Sequence, residues 1–243
     1  MYAVISDIHA NLEALEAVLD DMPEGVERVF CLGDVIGYGA SPNECCDIVR
    51  EAGMPLITGN HDLAVTDLST DLAWFNPVAA AAVIWTRGQL RKDNAAFLLS
   101  RPRTMRHHDA MFVHGSIRDP DEYILNGVTA SENLEILRRD HPEVEVCFFG
   151  HTHVKAIAPA PNGSVSGEKW LDLGSHGPYL VNPGSVGQPR DGDTFASYVL
   201  VEEGEGGPCV TYRFVEYDIE GAQERIRRAG LPEVLAERLA VGR

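Results

Sequence analysis

The organising segment of this chain reads Pro55-Leu56-Ile57-Thr58-Gly59-Asn60-His61-Asp62. Its first four residues are mostly apolar and partly β-branched, which predicts a short buried strand. Its polar residues follow without a spacer, so we expect their side chains at the carboxyl end of that strand. In open α/β sheets, ligands bind in the crevice outside the carboxyl ends of the strands. This one segment therefore predicts both a sheet and a site.

Four other segments repeat this order of an apolar strand followed at once by polar residues. The strands are predicted over 2–6, 26–32, 110–113 and 146–149. The polar residues that follow them are Asp7 and His9, then Asp34, then His114, and finally His151 and His153. A single Asp-x-His or His-Gly pair is a weak signal. Five such strand ends in one chain predict a common pocket.

The predicted pocket collects seven nitrogen and oxygen donors and no thiolate, namely Asp7, His9, Asp34, Asn60, His114, His151 and His153. One divalent ion takes about four to six protein ligands, so this surplus suggests two ions that share a ligand. A carboxylate bridges two ions most easily, and Asp34 stands in the middle of the series. His61 is not among these ligands. We expect it to face the leaving group, with Asp62 fixing its tautomer and orientation.

Charge counting favours a phosphate substrate for such a site. Two dications with two carboxylates and neutral histidines leave a net charge of roughly +2, and a bridging hydroxide lowers it to about +1. A phosphodiester anion then nearly neutralises the site. Paired ions also lower the pKa of bound water and hold the attacking and leaving oxygens in line.

Composition limits the other classes of function. The formal net charge is −17, which disfavours nucleic acid and anionic membranes as partners but permits a small phosphate ester held by metal ions. The five cysteines include no C-x-x-C pair and are expected to be buried thiols in a reducing compartment. The first strand starts at residue 2 and no apolar stretch reaches membrane-spanning length, so we expect a cytoplasmic protein. The sequence leaves homo-oligomerisation open.

The remaining elements predict two sheets with helices outside, in one domain over 1–243. Helices over 11–20 and 42–51 alternate with the first three strands, the order typical of parallel strands with right-handed crossovers. Beyond residue 153, short turns join the strands, which implies antiparallel pairing. Those later strands are predicted over 154–158, 169–172, 179–182, 195–202 and 208–218, after a helix over 131–139 and before helices over 220–228 and from 232.

The stretch 63–109 interrupts this order. It contains predicted helices over 78–91 and 94–100 and is expected to be a helical insertion packed on the sheet. Because the chain leaves the pocket at Asp62 and returns to it at His114, the alternative interpretation is that this stretch forms a partial lid over the pocket. Trp74 and Phe75 would then line the substrate pocket, but a role in the core is favoured for both.

The ordered motifs D-x-H, G-D, G-N-H-D, H-G and G-H-T-H resemble those of the calcineurin-like metallophosphoesterases, especially the small bacterial and archaeal phosphodiesterase branch. The segment N-P-G-S-V-G-Q-P-R over 182–190 is similar to the C-terminal signature of that branch. The resemblance implies a four-layer α/β/β/α sandwich of two mixed β-sheets flanked by helices. It also implies a first metal on Asp7, His9, Asp34 and His153, a second on Asp34, Asn60, His114 and His151, and His61 with Asp62 as the catalytic pair.

The function implied is a two-metal phosphoesterase that hydrolyses a small phosphodiester or nucleotide by metal-activated hydroxide attack. Nitrogen and oxygen ligands accept Mn²⁺, Fe, Zn²⁺ or Ni²⁺, and we favour Mn²⁺. Phosphomonoesterases, phosphoprotein phosphatases and dinucleotide polyphosphate hydrolases use the same metal core and stay open as alternatives. So does a non-catalytic scaffold, as in the retromer subunit of similar fold, although the intact His61 argues against it.

Five further residues carry weaker signals. Arg190 lies in a Gly/Pro-rich turn, where a guanidinium suits phosphate contact, and a role in shaping the turn explains it equally well. The histidines that follow no predicted strand are expected at the surface, namely His107, His108, His141 and His176.

Overall fold

The computed structural model describes residues 1–159, 170–172, 177–204 and 207–243. The strands of these ranges are β1 Tyr2–Ile5, β2 Arg28–Cys31, β3 Thr104–His107, β4 Ala110–Val113, β5 Val146–Phe148, β6 Ala156–Ala158, β7 Trp170–Asp172, β8 Tyr179–Asn182, β9 Ala196–Gly204 and β10 Gly207–Val215. The helices are α1 Leu12–Asp20, α2 Pro42–Glu51, α3 Asn60–Thr66, α4 Pro77–Gln89, α5 Lys92–Leu99, α6 Gly127–Asp140, α7 Ile219–Arg228 and α8 Glu233–Glu237. Short 3₁₀ turns cover Leu72–Trp74 and Arg238–Ala240.

The strands form two mixed sheets. The first has the order β2-β1-β9-β10-β7 and the second the order β3-β4-β5-β8-β6. β1 and β2 are parallel, as are β4, β5 and β8, whereas β9 and β10 form an antiparallel hairpin. The predicted change from parallel strands to antiparallel hairpins along the chain is therefore confirmed.

Apolar side chains fill three interfaces between four layers. Val4, Phe30, Phe112 and Phe148 belong to the cluster between the two sheets. On the outer face of the first sheet, α1 and α2 bury the cluster that includes Leu15 and Val49. On the outer face of the second sheet, α6 buries Leu134 and Leu137. Full burial of each such side chain stabilises the fold by about 1.5–3 kcal/mol relative to exposure. The predicted α/β/β/α sandwich is confirmed.

The segment Pro55–Thr58 differs from its prediction, since it is one β-bridge rather than a strand. Leu56 pairs with Cys31 in parallel at the edge of the first sheet. Pro55 has no N–H with which to extend the ladder, and the Thr58 amide donates to Pro102 O (2.8 Å) instead. The chain then enters α3 at Asn60, a helix that the sequence analysis missed. The polar residues of this segment thus begin a helix.

The stretch 63–109 contains the predicted helices, here α4 and α5, together with an unpredicted strand, β3, which pairs with β4 in a hairpin. Residues of α4, α7 and α8 share an apolar cluster with Tyr38. Trp74 is 90% exposed, so the suggested core role is wrong for this side chain. Phe75 is half-buried, and its ring meets that of His61 edge-on at 5.2 Å between centroids. Among the helices of the described residues, none has the length and apolarity that a membrane crossing requires.

Candidate metal centre

Six of the seven donors predicted as ligands lie on loops that follow the strands, at the edge formed by their carboxyl ends, and the seventh, Asn60, is the first residue of α3. Five of them have left-handed backbone conformations, namely Asp7, His9, Asp34, His151 and His153, with φ between 49° and 65°. This region costs a non-glycine residue about 1–2 kcal/mol. Such strain persists only where the surrounding structure over-determines it, and it clusters at functional sites.

Asp7, His9 and His153 form the first group that could hold an ion. The Nε2 atoms of His9 and His153 are 3.1 Å apart, and Asp7 Oδ1 lies 3.8 Å from the first and 3.3 Å from the second. Asp7 Oδ2 is occupied, since it accepts from Ser6 Oγ (2.6 Å) and from the His151 amide (3.1 Å). Oδ1, by contrast, is buried without a hydrogen-bond partner among the described residues.

Asp34, His114 and His151 form the second group. His114 Nε2 lies 3.4 Å from Asp34 Oδ2 and 3.0 Å from Asn60 Oδ1, so the predicted ligand Asn60 belongs to this group. Asp34 repeats the arrangement of Asp7. Its Oδ1 accepts from the His61 amide (2.8 Å), and its Oδ2 is buried with no hydrogen-bond partner in the described part of the chain.

Asp34 lies between the two groups. Its unbonded Oδ2 is 3.6 Å from His9 Nε2 of the first group and 3.4 Å from His114 Nε2 of the second. One carboxylate oxygen therefore faces both candidate ion positions. Gly59 permits this approach, because a Cβ at that position would meet Asp34 Oδ1 at 2.1 Å.

Main-chain carbonyls orient the four histidine rings. A carbonyl oxygen can only accept, so the ring nitrogen beside it carries the proton. His9 Nδ1 donates to Ile36 O (3.3 Å), His114 Nδ1 to Leu32 O (2.8 Å) and His153 Nδ1 to Gln188 O (2.6 Å). Their Nε2 atoms are left to bind. His151 is reversed, because its Nε2 donates to Asp121 O (3.2 Å) and leaves Nδ1 for the site. Such partners fix the tautomer of a metal-ligating histidine.

The electrostatics of the site favour the ligand forms of these side chains. Burial and the charge of His153 lower the pKa of His9; burial and the charge of His114 lower that of His151 to about 3. Burial alone would raise the pKa of Asp34, but the charges of His114 and His61 outweigh it and lower the pKa. Metal ligands must be neutral imidazoles and ionised carboxylates. These groups are therefore ready to bind cations.

His114 holds the one proton that a cation would have to displace. Burial works against its charged form, but the negative charge of the nearby Asp34 carboxylate outweighs burial and raises the pKa of His114 to about 10. In the protein without metal, this proton compensates part of the negative charge of the two buried carboxylates. A divalent ion would replace it.

His61 lies at the edge of the two groups and is 5% exposed. Its ring is enclosed by those of Tyr38 (centroids 4.4 Å apart), His9 (5.0 Å) and Phe75 (5.2 Å). Its Nδ1 is buried without a hydrogen-bond partner among the described residues, whereas its Nε2 is not enclosed. Burial chiefly lowers the pKa of His61, to about 4.

Asp62 is placed differently from its prediction. Its Oδ2 accepts from the Gly59 amide (3.1 Å) and its Oδ1 from the Ile36 amide (3.2 Å). Both oxygens are thus engaged by the main chain, and the predicted orienting bond to the His61 ring is not formed. The motif gave no sign of this, because residue 36 is distant in sequence. Asp62 joins the first turn of α3 to the loop after Asp34.

Arg190 does reach the site, and Tyr38 is a site residue that the sequence analysis missed. Arg190 Nη2 donates to Tyr38 Oη (3.3 Å) and to Gln188 Oε1 (2.9 Å). Tyr38 lies in a turn between two glycines, and only the fold brings its ring against His9 and His61. Tyr123 was also missed; its ring stacks on His151 with centroids 4.0 Å apart.

The other histidines are outside both groups in the described ranges. His108 is exposed, as predicted, whereas His107 and His141 are half-buried, so the surface prediction is only partly right. His107 packs against the rings of Tyr2 (5.8 Å) and Phe30 (5.0 Å). His176 and part of the predicted strand 169–172 lie outside the described residues. All five cysteines are buried, as predicted.

Comparisons with known proteins identify a family and a shared fold. The family model described as the calcineurin-like phosphoesterase superfamily domain matches residues 1–206. The uncharacterised protein MJ0912 of Methanocaldococcus jannaschii is 38% identical over 253 residues, covering 100% of this chain and 98% of that protein. A metallophosphoesterase from Sphaerobacter thermophilus has 42% identity and a TM-score of 0.84, over 100% of this chain and 98% of that one. The hypothetical protein PH1004 of Pyrococcus horikoshii, at 22% identity with the same coverage and a TM-score of 0.81, shares the fold.

Proposed function

Since this chain belongs to the calcineurin-like phosphoesterase superfamily, we propose that it is a two-metal phosphoesterase acting on a small phosphodiester or nucleotide. The observation that carries the proposal is the pair of unbonded carboxylate oxygens, Asp7 Oδ1 and Asp34 Oδ2, buried among four histidine rings. A buried charge without a partner is costly. Cations at these two positions would remove that cost.

The donor set fits divalent ions. Asp7, His9, Asp34 and His153 would hold the first ion, and Asp34, Asn60, His114 and His151 the second, with Asp34 shared. All donors are nitrogen or oxygen, which suits Mn²⁺, our first choice, and also Fe, Zn²⁺ or Ni²⁺. When bound, paired ions lower the pKa of water and stabilise the charge of a transferring phosphoryl group.

His61 would protonate the leaving oxygen. Its Nε2 is the ring nitrogen that is not enclosed, and three neighbouring rings hold it in one orientation. A proton on this ring is disfavoured by burial, so the negative charge of a bound phosphate would be needed to favour it. Arg190, next to Tyr38, would bind a phosphate oxygen, since a guanidinium offers several donors in a fixed plane.

Two features support a small substrate. The net charge of −17 repels long polyanions. The contact between Phe75 and His61 brings the stretch 63–109 to the edge of the site, which supports the proposal that this stretch limits the size of the substrate as a partial lid.

The test is metal-dependent turnover of bis(4-nitrophenyl) phosphate and 4-nitrophenyl phosphate by protein stripped with a chelator and reloaded with Mn²⁺. We expect hydrolysis of the diester to exceed that of the monoester and to stop in Asp34→Asn. Faster hydrolysis of the monoester would favour the phosphomonoesterase alternative. If the loaded protein hydrolyses neither ester, the scaffold alternative replaces the proposal.

A further inference from the structure

Two arginines lie close to the ring of Tyr38 at the edge of the candidate metal centre. The Cζ atom of Arg190 lies 5.7 Å from the centroid of that ring, and the Cζ atom of Arg238 lies 5.6 Å from it. Arg190 comes from the loop after β8. Arg238 comes from the 3₁₀ turn after α8, far from the strands that carry the candidate ligands.

Neither guanidinium has a carboxylate partner among the side chains of the described residues. Arg190 donates to Tyr38 and Gln188, and its Nε is buried without a partner there. Arg238 Nε donates to the main-chain oxygen of Arg243. The neighbouring arginines of α7 behave differently, because Arg225, Arg227 and Arg228 each pair with a glutamate. Arg190 and Arg238 are thus half-buried cations, and their hydrogen-bond partners among the described residues are Tyr38, Gln188 and the main-chain oxygen of Arg243, the last residue of the sequence.

The two cations also repel each other. Burial, followed by the charge of Arg190, lowers the pKa of Arg238. Like charges brought together in a partly buried place destabilise it, and an anion between or beside them would relieve the repulsion. Planar guanidinium groups bind phosphate oxygens in pairs of hydrogen bonds.

The two arginines differ in their distance from the reacting groups. The main-chain amide of Arg190 donates to His153 O (3.2 Å), so Arg190 lies beside the first group of candidate ligands and the position proposed for the scissile phosphate. Arg238 lies 5.6 Å from the centroid of the Tyr38 ring, and it is this ring, 4.4 Å from that of His61 between centroids, that adjoins the reacting groups. An anionic group at Arg238 would therefore belong to a part of the substrate beyond the scissile phosphate.

We propose that Arg238, together with Arg190 beside the same Tyr38 ring, forms a subsite for a second phosphoryl group of the substrate. Arg238 is thus a specificity-determining residue, and it favours substrates with two phosphoryl groups over simple diesters. This inference rests on the proposed function, because it concerns the substrate of the same site. The second group is joined to the first by an anhydride bond or carried elsewhere on a nucleoside.

The test compares three nitrophenyl esters that share one leaving group. Thymidine 5′-(4-nitrophenyl phosphate) has one phosphoryl group. Its 3′-phosphorylated analogue carries a second one on the ribose, and the 4-nitrophenyl ester of thymidine 5′-diphosphate carries it in an anhydride. In Arg238→Ala, we expect kcat/KM for at least one two-phosphoryl ester to fall about tenfold more than for the one-phosphoryl ester, the usual scale of a charged hydrogen bond. The ester that shows the excess loss identifies the source of the second group.

A binding measurement gives a second readout that does not require turnover. Calorimetry of the Mn²⁺-loaded protein in excess Mn²⁺, with methylenebisphosphonate and with orthophosphate, should show a tighter complex with the bisphosphonate. Arg238→Ala should remove this difference in affinity between the bisphosphonate and orthophosphate. Arg238→Lys should recover part of it, because it keeps the charge and loses the planar fork.

The matched control is Arg228→Ala, which removes an exposed, paired arginine from the same C-terminal region. It should leave all three esters and both binding constants unchanged. Equal losses for all three esters in Arg238→Ala would overturn the subsite and assign Arg238 to packing against Tyr38. If wild type hydrolyses none of the esters, the proposed function itself fails, which is a different result from hydrolysis without selectivity.

Discussion

The Nε2 atoms of His9 and His153 face each other at 3.1 Å, and each ring donates its Nδ1 proton to a main-chain carbonyl. In their neutral forms, both Nε2 atoms present lone pairs, so neither can donate to the other. A cation held by both nitrogens would remove this repulsion, because each lone pair would then face a positive charge. The fold thus holds two rings in an arrangement that is unfavourable without a cation.

Metal removal should therefore lower the thermal stability of the protein. An ion that binds only the folded state, at a hundred times its Kd, stabilises it by about 2.7 kcal/mol, and a chain of this size shifts its Tm by roughly 2–4 °C for each kcal/mol. We expect Mn²⁺ to raise the Tm of chelator-treated protein by about 5–10 °C on this scale. Calorimetric scans measure the shift, which should largely disappear in Asp34→Asn. An unchanged Tm in saturating Mn²⁺ would contradict the metal centre.

Substitutions of Asp34 and Asn60 should differ in how many ions they remove. Asp34 Oδ2 faces both groups, whereas Asn60 Oδ1 is hydrogen-bonded to His114 of the second group. We expect Asp34→Asn to lose both ions and Asn60→Ala to weaken chiefly one. Elemental analysis after gel filtration gives the metal content. Full retention of two ions in Asp34→Asn would rule out the shared carboxylate.

His61→Gln should separate proton donation from metal binding. The candidate ligands are other residues, so both ions and the fold should remain. The rate should fall by about 10²–10⁴-fold, the usual contribution of a positioned general acid. The loss should shrink for esters with acidic leaving groups, since these depart without a proton. A leaving-group series on wild type and variant, with metal content measured on both, tests this. The same loss for every ester would leave His61 only a phosphate-binding role.

Asp62→Asn should lower the stability of the fold and leave proton donation by His61 unchanged. The two Asp62 oxygens accept from the amides of Gly59 and Ile36, and an asparagine can satisfy only one of them. An unsatisfied buried amide costs about 1–3 kcal/mol, so thermal melting should show a clear decrease in Tm. The leaving-group dependence should match wild type. Asp218→Asn, which changes an exposed cap of α7, is the control and should cost less. If the rate of Asp62→Asn depended on the leaving group as that of His61→Gln does, Asp62 would orient His61 as the sequence predicted.

Gly37→Ala should displace the His61 ring. A Cβ at position 37 would meet His61 Nδ1 at 2.6 Å, and the backbone there has φ of +93°. Misplacement of a catalytic group by about 1 Å can cost 10²-fold in rate, so we expect a loss of that order with both ions retained. Gly53→Ala is a matched control, because its φ is +61° and nothing lies within 4 Å of the added carbon. Comparable activity of the two variants would show that ring placement does not limit the reaction.

Most of the fold follows from local sequence. Apolar runs with β-branched residues predicted nearly all the strands, and the polar residues directly after them predicted the edge where they meet. The failures have local causes. Pro55 cannot extend a ladder, so its segment became one bridge, and α3 is hidden because its first turn consists of the polar residues that mark the site.

The sequence by itself determined which donors exist and that their strands end at one edge, because strand periodicity and the chain order of polar residues are local properties. Only the tertiary structure decided which atoms are left unbonded. The carbonyls of Leu32 and Gln188 accept the Nδ1 protons of His114 and His153 and so leave the Nε2 atoms for the site. The amides of Gly59 and Ile36 bind both oxygens of Asp62, which therefore does not orient His61. Packing of α4, α7 and α8 brings Arg238 to Tyr38. These contacts join residues distant in the chain. Their existence depends on how the layers pack, which no local pattern specifies.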